Sequence, residues 1–284
     1  MSLSGVTAAR QSILAGLGRD QLAVDLRSIG LRQGQDLLIH CSLRRIGRID
    51  GGAGTLMNAI QDVAGPEATL VVPAQTTGNS LSSAAFRAAT AGLDAEECAR
   101  FIGTMPAFDP ATTPSSGMGA FAEYLRTRPS AWRSSHPQSS FAAIGPRAHD
   151  CVSLHDLDCH LGERSPLGWL YSAGAAVLLL GVGYSVCTAF HLAEYRAPGH
   201  TPRRSYRCFT NSSGMRVEHE YVDIDLDDSD FASLGADLES AMAPEITSGL
   251  RRGRVGAAEC RLVPLRAAVD FACSWLASHR AAPC

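Results

Sequence analysis

A histidine and a glutamate three residues apart stand in the segment AVLLLGVGYSVCTAFHLAE, residues 176–194. Residues at this spacing share one face of a helix, so the Glu194 carboxylate can hold and polarise the His191 imidazole. Such a pair suits general-base chemistry, in which an imidazole removes a proton from a nucleophile. Ionic pairs are also common on helix surfaces without a function. The surroundings of the pair therefore decide whether it is catalytic or a surface ion pair.

The residues before this pair predict a strand that ends where the chemistry begins. Val177–Leu180 is an apolar run too short for an amphipathic helix, which indicates a strand buried on both faces. Gly181 and Gly183 end it, and Thr188 is predicted to cap a new helix. Because open α/β sheets place ligands at the carboxyl ends of their strands, we expect His191 to lie in a binding crevice.

A second strand-to-helix unit lies near the start of the chain. DLLIH, residues 36–40, predicts a buried strand, and a loop rich in Gly, Ser and Arg leads into a helix that starts at Thr55. The loop offers backbone N–H groups and cations to an anion, although it is not a Walker loop. Ala68–Pro73 predicts a second buried strand parallel to the first.

Other patterns complete a predicted α/β fold of one domain over residues 1–284. Phe141–Ile144 and Ala258–Val263 read as strands, and Tyr206–Tyr221 reads as a hairpin that turns at Asn211–Gly214. Helices are predicted over residues 10–30, 95–101, 119–126, 234–243 and 264–277. Residues 75–113 read as a largely irregular segment, which inside a compact domain is usually a substrate wall or a lid.

Composition excludes several classes of protein. The 284 residues are 45% hydrophobic and 19% charged, a globular balance, and the net charge of −3 without a basic block argues against a nucleic-acid partner. The longest apolar stretch is too short to span a bilayer, and the first residues lack an export signal. We therefore expect a cytoplasmic protein without a membrane partner.

Cysteine and histidine usage predicts neither disulfides nor a metal. Nine cysteines occur without a Cys-x-x-Cys pair, which favours free thiols. His149, His155 and His160 stand close to Asp156 and Asp158, but their spacing fits no zinc signature. We therefore expect no metal ion.

Two polar stretches are candidates for ligand binding, although a stretch of either kind is more often a solvated loop. Arg133, Ser134 and His136 precede Pro137 and are suited to phosphate or amide groups. Seven acidic residues follow between positions 218 and 230, and Asp225 and Asp227 among them predict an anionic wall for a polycationic substrate.

Several motifs in order make the chain similar to the aminoglycoside 3-N-acetyltransferase family. They are HCSLRRIG, GGAGTLMNAI, GPEATLVVP, FDPATTPSSGMGAFAEYLR, RSSHPQSSFAAIG, HDLDCHLGERSPLGWL and LLLGVGYSVCTAFHLAEY. The resemblance covers most of the chain. It implies a single three-layer α/β/α domain with a mostly parallel central sheet and an added hairpin and loop region, distinct from the GNAT fold. It also implies an acetyl-CoA-dependent enzyme.

The resemblance carries particular roles onto residues of this chain. It implies that His191, Glu194 and Asp158 are catalytic, with Glu194 and Asp158 also contacting the amine. It implies that acetyl-CoA is bound by the following residues: Ser42, Leu43, Ser116, Met118, Arg133, Ser134 and His136. The expected substrate is an aminoglycoside, whose 3-acetylation confers antibiotic resistance, or another small-molecule amine. A homodimer is also compatible with the sequence.

The chemistry expected of these residues is direct transfer. An amine is mostly protonated at neutral pH and must lose a proton before it attacks a thioester. His191 is expected to be the general base, a backbone N–H is expected to stabilise the oxyanion, and Cys41 and Cys187 are expected to be bystanders.

Two other functions stay open from the sequence. GYSVC resembles the G-x-S-x-G elbow of serine hydrolases, with Ser185 as nucleophile, but Cys187 stands where that turn needs glycine. A CoA-binding protein without turnover is the second alternative, against which the presence of His191, Glu194 and Asp158 counts.

Overall fold

A sheet of seven strands organises the computed structural model, which describes residues 16–197, 202–242 and 249–280. The strands are β1 (Leu37–Cys41), β2 (Leu70–Pro73), β3 (Trp132–Arg133), β4 (Phe141–Ile144), β5 (Ala176–Leu180), β6 (Arg203–Ser212), β7 (Met215–Ile224), β8 (Arg251–Val255) and β9 (Ala258–Pro264). The order in the large sheet is β3-β4-β2-β1-β5-β9-β8, and β6 pairs with β7 alone.

Eleven helices lie in the described part of the chain, besides a short 3₁₀ turn at Tyr184–Val186. They are α1 (Arg19–Ser28), α2 (Leu43–Ile46), α3 (Gly52–Ala64), α4 (Ala84–Thr90), α5 (Ala95–Thr104), α6 (Gly119–Arg126), α7 (Ala148–Ser153), α8 (Pro166–Ala173), α9 (Phe190–Arg196), α10 (Phe231–Met242) and α11 (Leu265–His279). None of the described helices is long and apolar enough to cross a bilayer.

The centre of the large sheet is parallel. Leu37 of β1 lies opposite Leu70 of β2 and Ala176 of β5, and both pairings are parallel. The flanking strands β3, β4, β8 and β9 pair antiparallel to their neighbours. The three central strands are almost fully buried because helices cover both faces, as their continuous apolar sequences predict.

Alternating residues of the central strands enter two separate cores, which makes the fold a three-layer α/β/α structure. Leu38 and Leu179 point into the core formed with α7 to α11, whereas Ile39 and Leu178 point into the core formed with α1, α3 and α6. This division follows from the two-residue period of a strand. The three-layer α/β/α fold class expected from the sequence is confirmed, including the added hairpin, and the parallel part of the sheet is its centre, β2, β1 and β5.

The hairpin of β6 and β7 turns through two residues. Ser213 and Gly214 have φ values of 51° and 83°, as a two-residue type I′ turn requires. The segment predicted to be irregular packs on this hairpin, since Ser80 bridges to Cys208 and Phe108 bridges to Thr210. It contains two helices, α4 and α5, of which only the second was predicted.

A buried carboxylate fixes the hairpin to the rest of the protein. Asp223 of β7 is 1% exposed and accepts hydrogen bonds from Nδ1 of His160 at 2.8 Å and from the Tyr195 hydroxyl at 2.5 Å. Burial alone would raise the pKa of Asp223, but the hydrogen bonds from His160 and Tyr195 hold it below its usual value.

The predicted bounds of helices and strands agree best with the structure where a short segment has a clear hydrophobic pattern of its own. Gly119–Arg126 and Phe141–Ile144 were predicted with the bounds that the structure shows. Of the helical region predicted over 10–30, residues 10–15 lie outside the described residues, and α1 covers Arg19–Ser28. The short helices α2, α7 and α8 and the edge strands β3 and β8 were not predicted. The helix α2 and the strand β3 have only four and two residues, and β8, with the sequence RRGRV, has a single apolar residue, so none of these three carries a clear hydrophobic period.

Replacing Asp223 with alanine is expected to lower the free energy of unfolding by about 3–5 kcal/mol, because it leaves several buried donors without an acceptor. Glu218→Ala is the control on the same hairpin, since Glu218 pairs with Arg207 at the surface and such pairs contribute at most about 1 kcal/mol. Urea unfolding measures both variants. Equal losses would show that Asp223 does not anchor the hairpin.

Candidate active site

A cavity of about 620 Å³ opens at the carboxyl ends of the three parallel strands. Its wall comes from residues 39–44, 73, 75, 117–120, 182, 185–188, 191, 228 and 231. These residues follow or end β1, β2 and β5, or begin the helices that pack beside them. The position agrees with the rule that α/β sheets bind ligands at this edge, as the sequence predicted for His191.

His191 and Glu194 form the pair that their spacing predicted. Nδ1 of His191 lies 2.5 Å from Oε2 of Glu194, and both residues belong to α9. The Glu194 side chain is 1% exposed, whereas the His191 side chain is 13% exposed and lines the cavity. The ring also packs against Phe231 at 4.7 Å between centroids. One end of the pair is therefore buried and the other faces the cavity.

Two further groups hold the Glu194 carboxylate. Its Oε1 accepts hydrogen bonds from Nη1 of Arg280 at 2.5 Å and from the Asp227 amide at 3.0 Å. Arg280 follows the end of α11 and also pairs with Asp230. The carboxylate is thus charge-compensated and fixed in place, as a buried anion requires.

This arrangement sets the tautomer of the histidine. Because an ionised carboxylate accepts only, the Glu194 contact keeps the proton of a neutral His191 ring on Nδ1. Nε2 then carries the lone pair that can take a proton. The predicted cap was wrong, since α9 begins at Phe190 after Ala189 and no side chain caps it. Thr188 lies in the cavity wall instead.

The residues expected to bind acetyl-CoA divide into two groups. Ser42, Leu43 and Met118 line the cavity. Ser116 does not, since its amide donates to the Gln75 carbonyl and its hydroxyl accepts from an amide of the main chain. The structure therefore brings the first three beside His191 and leaves Ser116 outside the wall.

Arg133 points into the protein. Its guanidinium donates to the carbonyls of Ala74 and Thr113 and to the Ser140 hydroxyl, with distances of 2.6 Å to Ala74 and 3.1 Å to Ser140. Burial lowers the pKa of Arg133 to about 10. These bonds occupy the side chain in holding the neighbouring backbone, so the structure does not bring Arg133 to the cavity as a phosphate ligand.

Ser134 and His136 belong to a buried network of imidazoles. The His136 ring lies 4.7 Å from that of His155 and 4.5 Å from that of His160. Nδ1 of His155 lies 2.8 Å from the Ser134 hydroxyl, and its Nε2 lies 2.8 Å from the His160 carbonyl. Burial, and then the neighbouring His155 and His160, lower the pKa of His136 well below its usual value. These residues do not line the cavity.

The three predicted aspartates lie in different environments. Asp158 is exposed and pairs with Arg164 at 2.7 Å, outside the cavity wall. Asp225 pairs with Arg204 at 2.9 Å. Asp227 contributes its amide to Glu194, while its carboxylate accepts from the Ser229 amide. None of the three lines the cavity, and their roles toward a substrate stay predictions.

Three residues near the site, Arg44, His40 and Arg280, were not among the predicted site residues, and Asp228 was predicted only as one of the seven acidic residues of the anionic wall. Asp228 and Arg44 line the cavity, and no ion pair to either is found within residues 16–197, 202–242 and 249–280. His40 also lines it, and Arg280 braces Glu194 from behind. The sequence indicated only that the acidic stretch containing Asp228 could attract a cationic substrate and that the Arg-rich loop containing Arg44 could bind an anion. Nothing in the sequence near Arg280 connects it with a residue 86 positions away.

Thiols and metal-binding groups add little to the site. Burial raises the pKa of Cys41 and of Cys187, each to about 12, so both cavity thiols stay protonated. Among the described residues, no cluster of three or more His, Cys, Asp or Glu side chains is arranged to hold a metal ion.

Comparison with known proteins agrees with the motifs. Residues 38–277 match the family described as aminoglycoside 3-N-acetyltransferase. The chain belongs to this family. Its members are acyltransferases, and the match includes most of β1, all of α9 and most of α11.

Individual relatives cover nearly the full chain. The SPbeta prophage-derived aminoglycoside N(3')-acetyltransferase-like protein YokD of Bacillus subtilis (strain 168) is 35% identical over 92% of this chain and 93% of its own. Its crystal structure superposes with a TM-score of 0.84, covering 94% of this chain and 95% of YokD.

Two solved structures of further relatives contain ligands. AAC-IIIb in binary complex with CoASH is 28% identical with a TM-score of 0.81, over 95% of this chain and 100% of that one. AAC-VIa bound to sisomicin is 30% identical with a TM-score of 0.76, over the same shares of the two chains.

Arg280→Gln is expected to lower the rate of acetyl transfer roughly tenfold to a hundredfold, because Glu194 and then His191 lose their fixed position. Arg196→Gln is the matched control, since Arg196 stands on α9 with His191 and Glu194 and pairs with Glu163 outside the cavity wall. Steady-state kinetics measure both. A normal rate in Arg280→Gln would show that Arg280 does not position the pair.

The buried imidazoles make stability depend on pH. Burial lowers the pKa of His155 to about 3 and that of His40 to about 4, while an unfolded histidine titrates near 6.5. Between these values the unfolded chain binds more protons, so the free energy of unfolding falls as the pH drops from about 6.5 toward 4.

Each such histidine contributes about 1.4 kcal/mol per pH unit in that window. His155→Gln keeps a donor and an acceptor but cannot be protonated, so its unfolding free energy should fall less between pH 6.5 and 4.5 than that of the wild type. Urea unfolding at several pH values measures this, and an unchanged slope would contradict it.

Proposed function

We propose that this protein transfers the acetyl group of acetyl-CoA to the 3-amino group of an aminoglycoside, with His191 as general base, and thereby confers resistance. The observation that carries the proposal is the His191–Glu194 pair, which is braced by Arg280 and faces a 620 Å³ cavity at the sheet edge. A base with a fixed tautomer in a cavity of this size suits the deprotonation of an amine.

The reaction proceeds by direct transfer. The substrate ammonium first loses one proton to solvent. His191 takes a second proton from the resulting amine through Nε2 as the nitrogen lone pair forms the new N–C bond to the thioester carbon. The carbonyl electrons move to oxygen and return as the C–S bond breaks. The CoA sulfur leaves as thiolate and receives the proton that His191 had taken, so His191 is regenerated.

Acetyl-CoA is proposed to bind along the start of α2. Ser42 and Leu43 and the start of α6 at Met118 line the cavity, and a relative of this fold is solved with CoASH. Arg44 is exposed at the same wall and is the cation we assign to a CoA phosphate, because a guanidinium meets phosphate oxygens in a bidentate fork. It replaces Arg133, whose donors are used within the protein.

The amine substrate is proposed to approach from the side of α10. Asp228 places a carboxylate in the wall, and an aminoglycoside carries several ammonium groups that such a charge attracts. Sisomicin in the related AAC-VIa structure supports this class of substrate. YokD is named as acetyltransferase-like, and another small amine is therefore the alternative substrate.

A hydrolase is less consistent with the arrangement. Ser185 lies in the cavity wall, but no hydrogen bond joins it to a histidine within the residues that the structure describes. The His191 tautomer is set by Glu194, in the same helix. A thiol nucleophile is disfavoured as well, since both cavity thiols stay protonated.

The proposed function is tested by mass spectrometry of an aminoglycoside panel incubated with the protein and acetyl-CoA. The panel includes acceptors with and without a 3-amino group. One added acetyl group, absent when the 3-amine is missing, is the expected result. Acetyl-CoA binding without acetylation of any member would move the substrate to another amine, and the absence of acetyl-CoA binding would overturn the proposal.

His191→Ala is expected to reduce kcat by roughly 10²–10⁴-fold while acetyl-CoA still binds, because the general base is lost. Ser185→Ala serves as the companion variant and should keep most of the activity. Kinetics with calorimetric measurement of acetyl-CoA binding separate the two. A hydrolytic enzyme would show the reverse order of effects.

Glu194→Gln is expected to impair kcat at least tenfold, since an amide cannot accept from His191 and Arg280 as a carboxylate does. Asp158→Asn should change kcat by less than about twofold, because Asp158 is exposed and outside the cavity wall. The same acetylation assay compares them. A large loss in Asp158→Asn would restore the catalytic role that the family resemblance implies for Asp158.

A further inference from the structure

A second imidazole lies in the wall of the cavity that holds His191. His40 is the fourth residue of β1 and is 8% exposed. Its side chain shares a face of the sheet with Leu38, which packs in the same core as Leu192 and Ala193 of α9. His40 and α9 therefore belong to the same side of the sheet.

The His40 ring has no partner for one of its nitrogens. Nε2 is buried without a hydrogen bond in the part of the chain that the structure describes. The three residues before it in β1 are Leu37, Leu38 and Ile39, all aliphatic and buried. An unsatisfied buried polar atom costs about 1–3 kcal/mol, so an aliphatic residue would suit the strand better. A bound ligand would supply the missing partner.

The ring is uncharged at neutral pH. Burial lowers the pKa of His40 to about 4. A neutral imidazole offers an N–H donor that does not give up its proton, which suits the stabilisation of charge that develops on an oxygen.

We propose that His40 is a catalytic residue whose Nε2 donates a hydrogen bond to the carbonyl oxygen of the acetyl thioester. The assignment rests on the proposed function, because that reaction places the thioester carbon next to the amine that His191 deprotonates. His40 stands two residues before Ser42, at the wall assigned to acetyl-CoA, and His191 stands in the same cavity. The thioester carbonyl between them gains negative charge as the N–C bond forms.

His40 adds a side-chain donor to the backbone N–H that the sequence analysis expected for this oxyanion. A strand holds the donor in place before the reaction, so little reorganisation is needed in the transition state. Loss of one such donor reduces kcat by about 10²–10³-fold in enzymes that stabilise an oxyanion.

The first experiment compares the infrared carbonyl stretch of ¹³C-acetyl-CoA bound to the wild type, to His40→Leu and to His40→Gln. A hydrogen bond weakens the C=O bond, so the wild type should show a shift to lower wavenumber that is lost in His40→Leu and restored in part by His40→Gln, whose amide can donate from a similar position. This readout needs only bound acetyl-CoA and no acceptor.

The second measurement is kinetic and uses the same variants. His40→Leu should lose about 10²–10³-fold in kcat, keep its affinity for acetyl-CoA and melt at the same temperature or higher, because the unsatisfied nitrogen is gone. His40→Gln should recover at least tenfold of the lost kcat. His149→Leu, at an exposed position outside the cavity wall, is the control and should change neither readout.

The outcomes separate this assignment from the proposed function. If acetyl-CoA does not bind to the wild type, both are overturned. If it binds with an unchanged carbonyl stretch in His40→Leu, only the role of His40 is overturned. A rise in KM for the acceptor at normal kcat would assign His40 to the amine instead, and a lower melting temperature with proportional loss of activity would make it a structural residue.

Discussion

The Glu194 carboxylate is the interaction on which the site depends. A buried anion is unfavourable by several kcal/mol unless donors surround it, and here the donors come from distant parts of the chain. His191 lies on the same helix, the Asp227 amide follows the hairpin, and Arg280 follows the last helix. The need to satisfy one carboxylate therefore brings three segments together and sets the orientation of the imidazole that faces the cavity.

The sequence predicted the central strands well because their burial on both faces leaves continuous apolar runs. It also predicted that chemistry would lie at the ends of these strands, which is a property of the topology and not of single residues. The Thr188 cap failed for a local reason. Ala189, the residue directly before α9, has a helical backbone with φ −59° and ψ −29°, so Thr188 does not occupy the cap position.

The candidate site was predictable only where its parts are close in sequence. His191 and Glu194 are three residues apart, whereas Arg280 reaches Glu194 across 86 positions and leaves no local pattern. The sequence could not decide the role of Arg133 for a different reason. A guanidinium beside serine and histidine can bind a phosphate or donate to backbone carbonyls equally well. Burial decides between them, and burial is a property of the whole fold.

The way the cavity wall is assembled connects ligand binding with the stability of the whole fold. It is assembled from segments that begin near residue 39 and end near residue 231, so it exists only when contacts of high sequence separation have formed. Such contacts form late and slowly in a folding chain. Any ligand of the cavity consequently favours the whole folded state over the unfolded one, by about 2.7 kcal/mol when its concentration is a hundred times its Kd. Ligand occupancy is thereby coupled to global resistance to unfolding and not only to the order of one loop.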